Sequence, residues 1–325
     1  MKKTYLAAAV CLTAILNGCS NSNKIEDLSG SGASFPQPFY EAAFDKYMEN
    51  TKCIVSYGAI GSGAGIRNLS DKTVDFAGSD ALLTDQEKNS MPAVITVPTC
   101  KGAVVVVFNI DNLKEINLTG SIVADIFAEK ITKWNDSAIV AINPGIKLPD
   151  ENITPVYRSD GSGTTNNFTS YLCTVNENWK NTIGKGKNVN FPYGLAVKGN
   201  SGVAQVVTST KYSIGYVGSE FAFASKISSA LIANKEGKFI QANTETVSND
   251  SYPLCCLTYI MFYQEQCYNN RSINRAKSLI NLIKYMLSPE AQNIAKEVYY
   301  APLSNEIIEQ SLKELDKLTY NGEKI

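Results

Sequence analysis

The chain has 325 residues, 44% hydrophobic and 19% charged; 30 Lys and Arg face 31 Asp and Glu, and there is no histidine. A near-neutral chain without a basic run is a poor match for nucleic acid, whose affinity rests on clustered Lys and Arg. The lack of histidine excludes Ser-His-Asp triads, Cys-His pairs and imidazole-based zinc sites.

The N-terminus reads as an export signal. Lys2 and Lys3 open it, and the apolar run over residues 6–16 is too short to span a bilayer. Leu16-Asn17-Gly18-Cys19 resembles a bacterial lipobox, which predicts removal of residues 1–18 and a lipid on Cys19. Residues 19–27 are then a polar tether. Six cysteines remain beyond Cys19: Cys53, Cys100, Cys173, Cys255, Cys256 and Cys267. An even number in an exported chain predicts disulfides, with the pairing left open.

The body of the chain alternates strands with helices. Ser29-Gly30-Ser31-Gly32-Ala33-Ser34-Phe35 precedes a helical pattern through Tyr40, Ala43, Phe44, Tyr47 and Met48. A strand over 53–57 leads to Gly61-Ser62-Gly63-Ala64-Gly65 and a helix from Ile66. A third strand, 74–77, ends in Gly78-Ser79-Asp80, and Thr84-Asp85-Gln86-Glu87 reads as a capping box. Strands over 94–97 and 104–108 follow, then a helix over 119–127 and a turn at Trp134-Asn135-Asp136. A strand over 153–157 delivers Arg158, and a helix over 165–172 comes after the loop. Gly199-Asn200-Ser201-Gly202 precedes a helix through Val203, Val206 and Val207. Residues 214–217 and 257–263 are strands, and the tail is helical over 273–286, 289–298 and 304–318.

The chemistry sits at the junctions. Arg158-Ser159-Asp160-Gly161-Ser162-Gly163-Thr164-Thr165 sets an arginine at a strand end, then a Gly and hydroxyl loop opening a helix. Free N–H groups at a helix start, together with a guanidinium fork, suit a tetrahedral oxyanion. Four such junctions carry small hydroxyl and Gly residues, with two carboxylates and one arginine among them. In open α/β sheets ligands bind at the carboxyl ends of strands. No P-loop, dinucleotide fingerprint or hydrolase elbow occurs. The layout predicts an α/β chain of two discontinuous domains, 28–103 plus 262–325 and 104–261. Two hinge strands join them, and the ligand lies in the cleft.

Several motifs in one order carry a family resemblance. Gly32-Ala33-Ser34-Phe35-Pro36, Gly61-Ser62-Gly63-Ala64-Gly65, Asp75-Phe76-Ala77-Gly78-Ser79-Asp80 and the Arg158 loop resemble the periplasmic phosphate-binding proteins of bacterial phosphate ABC importers. Leu118-Thr119, Ile126-Phe127, Lys133-Trp134-Asn135-Asp136 and Ile214-Gly215-Tyr216-Val217 continue the pattern, from about residue 28 to residue 303. The resemblance implies the periplasmic binding protein fold and no enzyme activity, cofactor or metal. It implies inorganic phosphate and a membrane permease as partners of a lipid-anchored, extracytoplasmic monomer. Ser34 and Phe35 would give a hydroxyl and backbone N–H groups, and Ser62 a second hydroxyl. Arg158 would be the cationic ligand, with Asp160 holding its fork, and Ser162, Gly163 and Thr164 would donate from a helix start. An ionised Asp80 would accept the proton that phosphate, unlike sulfate, still carries at neutral pH. The competing readings are a receptor for another oxyanion, a surface sensor or adhesin, and a phosphohydrolase using Asp80 or Ser162.

Overall fold

A computed structural model describes residues 25–325. The expected leader, Cys19 and residues 19–24 of the tether lie outside the described residues. Three βα units open the fold: β1 (Leu28–Gly32) with α1 (Gln37–Thr51), β2 (Val55–Ala59) with α2 (Ser62–Ser70), and β3 (Phe76–Ser79) with α3 (Asp85–Asn89). α1 buries Phe39, Tyr40, Ala43, Phe44 and Tyr47, the stripe expected from helical spacing. α3 starts at the Thr84–Glu87 capping box. Next comes β4 (Val94–Phe108), followed by β5 (Asn117–Leu118), α4 (Gly120–Phe127), α5 (Ser137–Ala141) and β6 (Thr154–Arg158). Then come α6 (Gly163–Val175), α7 (Glu177–Thr182), β7 (Leu195–Val197), α8 (Gly199–Ser209), β8 (Ser213–Gly218) and α9 (Ser219–Ala224). β9 (Leu231–Ala233), β10 (Phe239–Ile240), α10 (Thr244–Ser248) and β11 (Cys255–Tyr263) precede the tail helices α11 (Ile273–Met286), α12 (Pro289–Glu297) and α13 (Asn305–Leu315).

Eight strands form one sheet in the order β2-β1-β3-β11-β4-β8-β6-β7. β1, β2 and β3 run parallel, as do β6, β7 and β8. Between them β11 and β4 are antiparallel to each other and to their outer neighbours. Register decides where the strand ends fall. Ser79, the last residue of β3, pairs with Tyr259 of β11, and Gly218, the last of β8, pairs with Val104 of β4. Both parallel sets therefore aim their carboxyl ends at the middle of the β4–β11 ribbon.

The sequence predicts separate strands at 94–97 and 104–108, whereas β4 is one strand of 15 residues. Pro98 and Gly102 look like breaks in the sequence. Pro98 faces Tyr259, where the β4–β11 register shifts, and such irregularities tolerate the missing N–H of proline.

Buried side chains form two main cores. One holds residues from 28 to 100 and from 260 to 318, including Phe39, Phe76, Ile260 and Leu279. The other holds residues from 103 to 254 with Ala301, and includes Val105, Phe127, Trp134 and Tyr216. A smaller cluster (Ile66, Leu69, Ala77, Leu83, Met261, Tyr263) extends the first.

The expected disulfides do not occur: all six cysteines have free thiols. Cys100 and Cys256 share a face of the ribbon, but Cys256 opposes Gly102 and Cys100 opposes Thr258. Diagonal neighbours sit roughly 7–8 Å apart, beyond ordinary disulfide reach. Among the described residues no helix is long and apolar enough to cross a membrane.

Candidate functional site

The first wall comes from the loops after β1, β2 and β3. Ser34 is buried, and its Oγ accepts hydrogen bonds from the Asn200 backbone N–H (3.1 Å) and side-chain amide (3.0 Å). The Phe35 ring is fully buried edge-on to Tyr300, and its carbonyl accepts the Tyr300 hydroxyl at 2.5 Å. Only the Phe35 backbone is left to serve a ligand. α2 begins at Ser62, earlier than the glycine-rich sequence suggests, so Ser62 stands at a helix start. Gly61 caps it at φ 97°, and a side chain there would clash with Asp160 across the cleft.

The second wall is the loop after β6. Arg158 ends that strand with its side chain 1% exposed. Its Nε donates to Asp160 Oδ1 (2.7 Å) and one Nη to Oδ2 (2.5 Å), while Nη1 is buried with no partner. Burial alone would raise the Asp160 carboxyl, but the hydrogen bonds and charge of Arg158, with the Gly199 N–H, bring it below the ordinary range. Ser162 is more committed than expected. Its Oγ caps α6 by accepting the Thr165 N–H (3.0 Å), and its own N–H donates to the Lys187 carbonyl (2.9 Å). A helix N-terminus must satisfy its free N–H groups, and Ser162 is spent on that task except for its hydroxyl proton.

The walls touch. Gly163 N–H donates to Ser62 Oγ (3.1 Å) and Gly63 N–H to the Gly161 carbonyl (2.8 Å). Asp80 closes the ring at 3% exposure. Its Oδ1 accepts the Thr258 hydroxyl (2.8 Å) and its Oδ2 the Thr164 hydroxyl (3.4 Å). Burial raises its carboxyl from 3.8 to about 7, against the lowering pull of Thr258, Arg158 and Thr164. No cation touches Asp80 among the described residues, and burial therefore wins over the hydroxyl contacts and holds its carboxyl well above the usual carboxylate range. The ring thus offers hydroxyls, N–H groups and one free guanidinium NH2 group to an anion, plus one carboxyl able to share a proton. A cavity of about 550 Å³, lined by Lys101, Asn167, Cys256 and Tyr259 among others, adjoins this ring only at Asp80.

Several participants carry no local signal. Asn200 donates to both Ser34 Oγ and Thr164 Oγ1 (3.3 Å), joining the walls. Thr258 fixes Asp80 from β11, and Asn167 donates to the Asp80 carbonyl (2.8 Å). Lys187 spans from the second wall to Glu87 of α3, 2.7 Å from both carboxylate oxygens. Burial opposes ionisation of Glu87, yet Lys187 and Thr84 lower its carboxyl overall. Gly199-Asn200-Ser201-Gly202 does repeat the Gly and hydroxyl signature at the end of β7, and that signature is the one clue to Asn200.

Comparison with known proteins agrees with this architecture. The profile described as PBP superfamily domain matches residues 20–290. The phosphate-binding protein PstS of Xylella fastidiosa strain 9a5c is 32% identical, covering 95% of this chain and 97% of the relative. That of Pasteurella multocida is 35% identical, covering 93% of each. Among solved structures, a putative phosphate ABC transporter substrate-binding protein from Clostridium perfringens with bound phosphate has a TM-score of 0.69. It is 21% identical, covering 86% of this chain and all of the other. A high-affinity periplasmic phosphate-binding protein bound with phosphate reaches 0.71 at 18% identity, covering 87% and 92%. At these identities the likeness shows the fold: mixed α/β of the periplasmic binding protein type.

Proposed function

We propose a phosphate receptor, on this premise: the chain belongs to the PBP superfamily and, within it, to the family of PstS phosphate-binding proteins. It binds inorganic phosphate in the cleft and delivers it to an ABC importer; it is not an enzyme. The observation that carries the reading is Arg158 Nη1, a charged donor buried without a partner while Asp160 occupies the rest of the fork. A buried unpaired donor is costly, and an oxyanion removes that cost.

In this reading the Ser34, Ser62 and Ser162 hydroxyls and the Phe35 and Thr164 N–H groups donate with Arg158, the Gly163 N–H turns from Ser62 Oγ to the anion on binding, and Asp80 takes the position facing the proton. Whether that proton starts on phosphate or on Asp80, the closed site holds one proton between them. Sulfate brings none, so it must draw one from solvent, at increasing cost above the Asp80 value of about 7. The bodies built round the first and second cores open and close about the β4–β11 ribbon. Cys19 carries the lipid and the tether holds the monomer at the membrane, where its permease lies. Calorimetric titration of the mature chain tests the reading. Phosphate is expected to bind at least about 100-fold more tightly than sulfate at pH 8; equal affinities, or no phosphate binding, overturn it.

A further inference from the structure

The cleft leaves one buried acid unexplained. Glu220, in the first turn of α9, is 1% exposed, and both its carboxyl oxygens are sealed from solvent without a hydrogen bond. The neighbouring Ser219 hydroxyl is in the same condition. The carboxyl folds back over Gly218, where any side chain would collide with it. The titratable and polar groups near enough to act on it are Ser219 from its own helix, Tyr300 after α12, and, at longer range, Asp80 after β3, Cys100 of β4 and Cys256 of β11. None of these is a cation. An ionised carboxylate in so dry a place is strongly disfavoured, and burial, with the Asp80 charge adding to it, pushes Glu220 well above the usual carboxylate range.

A neutral Glu220 has a use for its proton. Tyr300 has one hydroxyl proton and gives it to the Phe35 carbonyl (2.5 Å), so its oxygen can only accept. Tyr300 lies beside the Glu220 carboxyl, so a proton kept on Glu220 would supply the donor and complete a chain from Glu220 to Tyr300 to Phe35. A second tie begins two residues earlier. Gly218 N–H donates to Asn200 Oδ1 (3.1 Å), and Asn200 donates to Ser34 Oγ. Residues 218–220 thus reach the Ser34–Phe35 loop twice, each time from the second core to the first.

We propose that Glu220 is a positioning residue for phosphate binding, which through Tyr300 fixes the Ser34–Phe35 backbone when the two cores close on the anion. This rests on the phosphate reading. It is tested by measuring phosphate affinity of the mature chain for wild type, Glu220→Gln, Glu220→Ala, Tyr300→Phe and the last two combined. Circular dichroism confirms folding of each. Gln still donates to Tyr300 and is expected within about threefold of wild type, whereas Ala and Tyr300→Phe each weaken binding about tenfold. The double variant is expected to be no weaker than the worse single one, because the two act through one chain. Equal losses for Gln and Ala, no loss for Ala, or additive losses overturn the proposal. Should the Ala variant not fold, the pH profile decides. Wild-type affinity should fall relative to Glu220→Gln as rising pH strips the Glu220 proton, and parallel profiles overturn it. If wild type itself does not bind phosphate, the receptor reading fails instead.

Discussion

The two walls of the cleft each contribute an aspartate, and the two live under opposite rules. Asp160 is clamped by two charge-assisted bonds to Arg158 and stays ionised; it positions a cation. Asp80 is more deeply buried, has only hydroxyl and amide neighbours, and its carboxyl rises to about 7. Neither aspartate differs in kind from the other. Whether a guanidinium lies within reach decides which becomes a fixed charge and which a proton carrier. In the proposed phosphate reading, one wall attracts the anion and the other examines its protonation.

The largest break in this contrast comes from Arg158→Ala. It strips the second wall of its charge and leaves the half-buried Asp160 without a cation, the situation Asp80 is in now. Phosphate affinity in calorimetry should fall at least about 100-fold, and chemical denaturation should show stability lower by about 3 kcal/mol. Gly163→Ala comes next. Its Cβ would stand 2.6 Å from Ser62 Oγ and 2.7 Å from Asp80 Cβ, so the walls must part. Overpacking of this kind costs about 1–3 kcal/mol, which predicts phosphate binding weaker by roughly 10- to 100-fold with the fold intact.

Asp80→Asn sharpens the comparison rather than abolishing it. The phosphate-to-sulfate ratio should narrow about tenfold at pH 8, more than phosphate affinity itself falls, as read by paired titrations. Stability supplies a second readout. The folded carboxyl titrates near 7 and the unfolded one near 3.8, so the folded state holds its proton more tightly. That term is fully present below pH 4 and is lost as pH rises to about 7, on the order of 4 kcal/mol for the empty protein. Urea denaturation across that range should show a loss that Asp80→Asn flattens. The smallest effect belongs to Lys187→Ala, which cuts the tie to Glu87 between the walls. A partly buried pair is worth about 1 kcal/mol, so phosphate should weaken about three- to fivefold, seen mainly as faster release in stopped-flow.

What the sequence shows and hides follows from chain distance. Arg158, Asp160, Ser162 and Thr164 lie within seven residues of one another on a strand-loop-helix unit, so their chemistry is legible in order. The Thr84–Glu87 cap is legible for the same reason. Ser62 is half-hidden: a run of glycines reads as loop because glycine disfavours helix, yet burial against β1 and β3 draws it into α2. Thr258 and Tyr300 are silent, since they meet Asp80 and Phe35 across 178 and 265 residues. The raised Asp80 carboxyl is hidden too, because it depends on what fails to lie nearby. Cysteine counting erred where register mattered: a two-residue offset keeps Cys100 from Cys256.

The register of the ribbon has one more consequence. Ala103 and Cys255 stand opposite each other on β4 and β11, so the chain departs for the second core and comes back at a single rung. Everything from residue 104 to residue 254 is, in topological terms, a cassette plugged into a hairpin. The cost of closing that excursion grows only slowly with its length, about 0.6 kcal/mol for each doubling. Insertions or deletions inside the cassette leave the reading frame of the first core's ladder untouched. A lineage can therefore remodel one jaw of the fold while the other is inherited unchanged.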